Sequence, residues 1–182
     1  MSDAAVTPRD IIDFWRAAGP DKWWAKDDAF DAEIAARFGA THKLATTGQL
    51  DDWKETAEGS LALILLLDQF SRNLHRGSYW AFQNDVWARH AAAEAIASNF
   101  DAEFDADLRI FFYVPYMHSE RIGDQNYCVE VFRANAPDQL KWAELHRDII
   151  ARFGRFPHRN AVLERETTPE EQAFLDDGGF AG

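Results

Sequence analysis

Residues 61–76 read LALILLLDQFSRNLHR, and the fold turns on how this stretch is read. Seven apolar residues run without a break into Asp68, Gln69, Arg72, Asn73, His75 and Arg76. A helix apolar on every side has no solvent face, so it belongs in the interior of a helical protein. The polar groups that follow either crowd a buried pocket or mark where the helix surfaces. Ser60 is placed to cap this helix and Gly77 to end it.

Working outward, the rest of the chain carries helical signals. Thr7, Pro8 and Asp10 supply a cap, a first-turn proline and a first-turn acid, with Ile11, Phe14 and Trp15 facing inward. Phe30, Ile34 and Phe38 recur every four residues from about Asp27, and Gly39 is read as the stop of that helix. A short helical piece carries Leu44. Residues 78–98 are expected to form one long helix with Trp80, Val86 or Trp87, Ala91 and Ile96 inward. Further helices are expected over 106–117, 124–134 and 138–153, the last capped by Asp138 and ended by Gly154. Thr168, Pro169 and Glu171 repeat the opening device before Phe174 and Leu175. No segment alternates apolar and polar residues in the manner of a strand. The expectation is an all-α, single-domain chain over 1–182, built from antiparallel helical hairpins as a bundle or a superhelix.

Composition narrows the function. At 182 residues one core can bury roughly 70% of the unfolded surface. A net charge of −12 and the lack of a basic block argue against nucleic acid. Between Lys141 and Arg165, however, six basic residues stand against three acidic ones, enough to draw a small anion. Cys128 is the sole cysteine, which rules out an intrachain disulfide and CxxC zinc sites and suits a reducing compartment. No apolar run approaches the ~20 residues of a membrane span, so no membrane association and a cytoplasmic location are expected. Cys128 reads as a small core residue, Trp23, Trp24 and Trp53 as packing, and His42 and His90 as helix-surface residues.

Three polar clusters are candidates for chemistry. Asp68 and Arg72 lie four apart, with Asn73 and Arg76 close by. They form either an ordinary ion pair at a helix end or a donor fork that Asp68 aims at a carboxylate or phosphate. In the second cluster, Pro115 is expected to break a helix so that His118 and Glu120 fall in a turn. There they are a proton carrier with its orienting acid, turn-stabilising groups, or, with His158, three metal ligands. The third is GRFPHRN at 154–160, an irregular bend displaying Arg155, His158, Arg159 and Asn160. No nucleotide loop, GxSxG elbow, HExxH helix or Rossmann glycine pattern occurs, so no cofactor is expected.

Together, LDQFSRNLHRG (67–77), PYMHSE (115–120) and RFGRFPHRN (152–160) resemble the signature of a bacterial family known as a domain of unknown function. FW at 14–15, WW at 23–24 and the DxxFD pattern from Asp27 to Asp31 extend the resemblance over nearly the whole chain. It implies a tetratricopeptide-like helical fold and no particular reaction. After GRFPHRN that family usually carries leucine, glycine and arginine, whereas this chain has Leu163, Glu164 and Arg165.

On the residues alone, the expected role is a small anionic molecule or peptide carboxylate held by Asp68, Arg72, Asn73, Arg76, Arg155 and Arg159. In that reading His118 or His158 moves a proton and Glu120 orients it. A protein-interaction scaffold and a metal-assisted or acid/base hydrolase are the alternatives. Whether the chain is an enzyme, and in what oligomeric state, the sequence leaves open.

Overall fold

Helix caps written in the sequence set the first and last helices of the chain. In the computed structural model, which describes residues 5–180, Thr7 and Asp10 close a reciprocal capping box on α1 (Pro8–Ala18). The chain continues through α2 (Pro20–Trp23), α3 (Asp28–Thr46), α4 (Ala57–Leu65), α5 (Ser71–Leu74), α6 (Asp85–Ala97), α7 (Ala106–Arg109), α8 (Val114–Met117), α9 (Ile122–Asn135) and α10 (Leu140–Phe153). It closes with α11 (Pro169–Asp176), where Thr168 and Glu171 form a second capping box. No strand occurs among the described residues, and the fold is all-α.

The chain divides into two compact units. The first comprises residues 1–76 and 80–115. Its core is aromatic: Phe14 packs on Phe30, Phe38 and Phe70, and Trp15 packs on Trp23, Phe70 and Phe111. The apolar stretch runs through this core, with every residue from Leu61 to Leu67 buried. The second unit comprises 77–79 and 116–182. There α9 and α10, joined by the short connection at Pro137–Gln139, pack side by side, and Ile149, Ile150 and Phe156 form a core against which Phe174 lies.

Several boundaries differ from expectation. Thr56, not Ser60, caps the apolar helix, because Thr56 Oγ1 accepts the Gly59 N–H at 3.1 Å while Ser60 lies a turn inside. Gly39 does not end its helix, since α3 continues to Thr46. The stretch 78–98 is a 3-10 turn at Tyr79–Ala81 followed by α6, and Val86 and Trp87 are exposed rather than inward. Trp24 and Trp80 are also more than half exposed. Pro115 sits inside the first turn of α8, where a missing N–H is harmless. Asp138 lies in a 3-10 turn and makes no cap for α10. Glu164, at the family's usual glycine position, keeps a left-handed backbone with φ +52°.

Candidate functional site

The helix that begins at Ala57 does not stay α-helical. Residues Leu66–Phe70 form a π-helical turn between α4 and α5. Such single turns are rare and recur at functional sites, because the extra residue re-aims the side chains that follow. Here the turn carries the start of the polar run. Asp68 is 1% exposed and Ser71 fully buried, and Gln69 and Asn73 are buried as well. Both alternatives open from the sequence apply in turn: Asp68, Gln69, Ser71 and Asn73 crowd the interior, and the run surfaces by Arg76.

Their partners are mostly carboxylates and amides. Arg72 Nη1 lies 3.1 Å from Asp68 Oδ1, and its two terminal nitrogens reach the two oxygens of Asp85 at 3.0 and 3.1 Å. Gln69 donates to Asp68 at 2.6 Å. Arg76 forks onto Asp31, which also accepts Asn73 Nδ2 at 2.7 Å. The structure thus brings Asp68, Arg72, Asn73 and Arg76 together in the first unit, each arginine facing a carboxylate. These ion pairs lock α3, α5 and α6 to one another.

Beside that frame opens a cleft of about 460 Å³. His42 and Lys43 of α3, Leu74 and His75 at the end of α5, and Trp80 and Asn84 line it. Contrary to the surface position expected for it, His42 is 6% exposed. Ser71 explains its orientation. The hydroxyl donates to Leu67 O at 2.7 Å, so it has only lone pairs left to offer, and Asn84 Nδ2 donates to it at 3.3 Å. His42 Nε2, 3.0 Å from the same oxygen, is therefore the protonated nitrogen of a neutral ring, and Nδ1 carries the lone pair. Burial and the nearby His75, whose ring lies 5.7 Å away, lower the His42 pKa to about 4. None of the lining residues is acidic. A second cleft of about 420 Å³, between α1 and α3, has a mixed lining that includes Asp10, Asp13, Glu33 and Arg37.

The remaining candidates lie in the second unit. Gln125, fully buried, donates to Met117 O at 2.7 Å and Ser119 O at 2.6 Å, pinning the turn that carries His118 and Glu120. Glu120 accepts both terminal nitrogens of Arg165, at 2.7 and 3.1 Å, and the Phe156 N–H at 2.8 Å. Burial would raise its pKa, but these bonds and the charge of Arg165 hold it below the usual range. His158 packs on Phe156 and Phe180. Burial above all, with the charges of Arg159 and His146, lowers its pKa to about 3, so it is neutral at pH 7. Arg159 is buried with its guanidinium 4.5 Å from the Phe156 ring. Arg155 forks onto Glu171 at 2.6 and 2.8 Å, tying α11 to the GRFPHRN bend. His118, Glu120, His158 and Arg159 thus share one neighbourhood. Among the described residues no three His, Cys, Asp or Glu side chains are grouped to hold a metal ion.

The family described as "Bacterial protein of unknown function (DUF924)" matches residues 11–179. The chain belongs to this family. A solved structure, that of the protein of unknown function ATU0120 from Agrobacterium tumefaciens, is 50% identical, with a TM-score of 0.91 over 94% of this chain and 97% of that one. No curated protein matches.

For this DUF924 chain, sequence reasoning missed His42, Lys43, Ser71 and Asn84. A signal for His42 was present. Phe30, Ile34 and Phe38 continue at the same spacing to His42, and taking Gly39 as a stop cut the stripe short. Ser71 carried no such signal, because a π turn changes the phase of the helix without marking its residues.

Proposed function

We propose that this DUF924 protein binds a small anionic molecule, a free acid or a peptide carboxylate, in the cleft of the first unit. The observation that carries the reading is charge. In a chain of net charge −12, this cleft presents Lys43, His42 and His75 and no acid. Its volume falls within the range of small-molecule sites, and its amides and imidazoles offer directed hydrogen bonds beside the apolar Leu74 and Trp80. Asp68, Arg72, Asn73 and Arg76 tie the flanking helices together, and the His42–Ser71–Asn84 contacts fix the His42 ring. His42 is neutral at pH 7 and keeps its Nε2 proton on Ser71, so Lys43 supplies the charge. Among the described residues no helix is long and apolar enough to cross a membrane. A buried, reduced Cys128 suits the cytoplasm.

Thermal unfolding against carboxylates, phosphate compounds and C-terminal peptides tests this. A ligand at 100 times its Kd adds about 2.7 kcal/mol, or roughly 5–10 °C for a chain of this length. The shift is expected to disappear in the Lys43→Ala/His75→Ala double variant. A panel without any shift, or a shift that survives the double variant, overturns the assignment.

A second reading, a protein-interaction scaffold, is favoured by Val86 and Trp87, both more than half exposed on α6. Trp87→Ala should then weaken recovery of a specific partner while leaving the anion shift intact. Equal recovery by both forms would remove that reading.

A further inference from the structure

Gly39 stands twelfth in the nineteen residues of α3 and lines the anion cleft. A glycine inside a helix is normally required by a positive φ or by a neighbour too close for a Cβ. Neither applies here. Its φ is not among the positive ones, and a Cβ built on it meets nothing within 4 Å. Elsewhere α3 uses alanine freely, at 29, 32, 35, 36, 40 and 45. Relative to alanine, glycine in a helix interior lowers Tm by roughly 2–4 °C in a chain of this size. The helix bears that loss at a position that lines the cleft.

We infer that Gly39 leaves a bare floor on which a planar aromatic ring of the ligand lies, its anionic group reaching Lys43, one helical turn on, and His75 at the end of α5. The inference rests on the anion reading of the same cleft and narrows it to aromatic acids. Ala35, one turn before Gly39, keeps the floor low, and the side chains of Leu74 and Trp80 supply apolar lining. Four residues of α-helix rise about 6 Å, which suits a ring joined directly or through one carbon to its acid. A methyl group at position 39 would stand where the ring face must sit.

The experiment is calorimetric titration of the whole protein with naphthalene-2-carboxylate and with acetate, for wild type, Gly39→Ala and Lys43→Ala/His75→Ala. Wild type is expected to bind the aromatic acid at least tenfold more tightly than acetate. Gly39→Ala should have a Tm higher by roughly 2–4 °C yet bind naphthalene-2-carboxylate at least tenfold more weakly. The inference falls if the ring adds less than threefold, if Gly39→Ala binds as wild type does, or if that variant melts lower, which would reveal a packing role. Failure of the double variant to weaken binding overturns the anion reading itself. A non-aromatic anion bound through Lys43 in a protein that ignores naphthalene-2-carboxylate would leave that reading standing and remove only the ring.

Discussion

Replacing Arg72 by methionine leaves the Asp68 carboxylate in the core without the cation that faces it. Asp68 is 1% exposed, and the Gln69 amide that stays behind at 2.6 Å carries no charge. Breaking one side of a buried pair in this way costs about 3–5 kcal/mol. There is also a ceiling, because a carboxylate that has lost this cation can take up a proton. From an ordinary pKa near 3.9, protonation at pH 7 costs about 1.36 × 3.1, roughly 4 kcal/mol. Losing the two contacts to Asp85, whose side chain is 14% exposed, adds about 1 kcal/mol. Arg72→Met should therefore lose about 4–5 kcal/mol at pH 7, read by urea unfolding with an unchanged m-value. The pH dependence follows from the same picture. In the variant the folded-state pKa of Asp68 lies above its unfolded value, so the destabilisation is present at neutral pH and relieved as pH falls. Between pH 7 and pH 5 about 2.7 kcal/mol should return. Asp68→Asn on top of Arg72→Met should abolish that dependence and be more stable than Arg72→Met at pH 7. A loss under 1 kcal/mol, or a loss that does not change with pH, would refute the reasoning.

Three further outcomes are expected. His42, its pKa lowered from 6.5 to about 4, binds more protons unfolded than folded across that interval. Stability should fall as pH drops from about 6.5 to 4, by up to about 3 kcal/mol from this residue, and His42→Gln should flatten that limb of a pH–stability curve. Glu164 holds φ +52°, where only glycine is comfortable, so Glu164→Gly should stabilise the protein by about 1 kcal/mol in chemical unfolding. Gly59 is the opposite of Gly39: a Cβ there would lie 2.1 Å from Trp53 O. Gly59→Ala should cost more than about 2 kcal/mol, seen as a lowered urea midpoint.

The helix ends that sequence reading located best are those whose signals are local. Thr7 with Asp10, and Thr168 with Glu171, each satisfy backbone donors within three residues, and both appear as capping boxes. The apolar run at 61–67 was equally legible, since nothing but an interior can hold it. What escaped depended on distant contacts. Gly39 reads as a stop, yet α3 passes through it because Thr41, His42 and Ala45 are buried beyond it. Trp87 and Val86 read as core, but α6 buries its alanine face instead, at Ala88, Ala91, Ala92 and Ala95. The clusters at 68–76, 115–120 and 154–160 were visible as clusters. That Glu120 faces Arg165, and Arg155 faces Glu171, needed the fold, because those partners are 45 and 16 residues apart.

The π turn at Leu66–Phe70 has a consequence for how this helix tolerates change in length. A π turn amounts to one residue inserted into an α-helix, and each residue of α-helix is worth about 100° of rotation and 1.5 Å of rise. Deleting a single residue from 66–70 would heal the backbone into a more regular helix, with better hydrogen bonding along its axis. It would also swing everything after it by about a quarter turn. Ser71 would leave His42, Arg72 would leave Asp85, and His75 would leave the cleft. The irregular turn is thus a phase setting, and a chain one residue shorter would make a sounder helix with its polar groups aimed at the wrong neighbours.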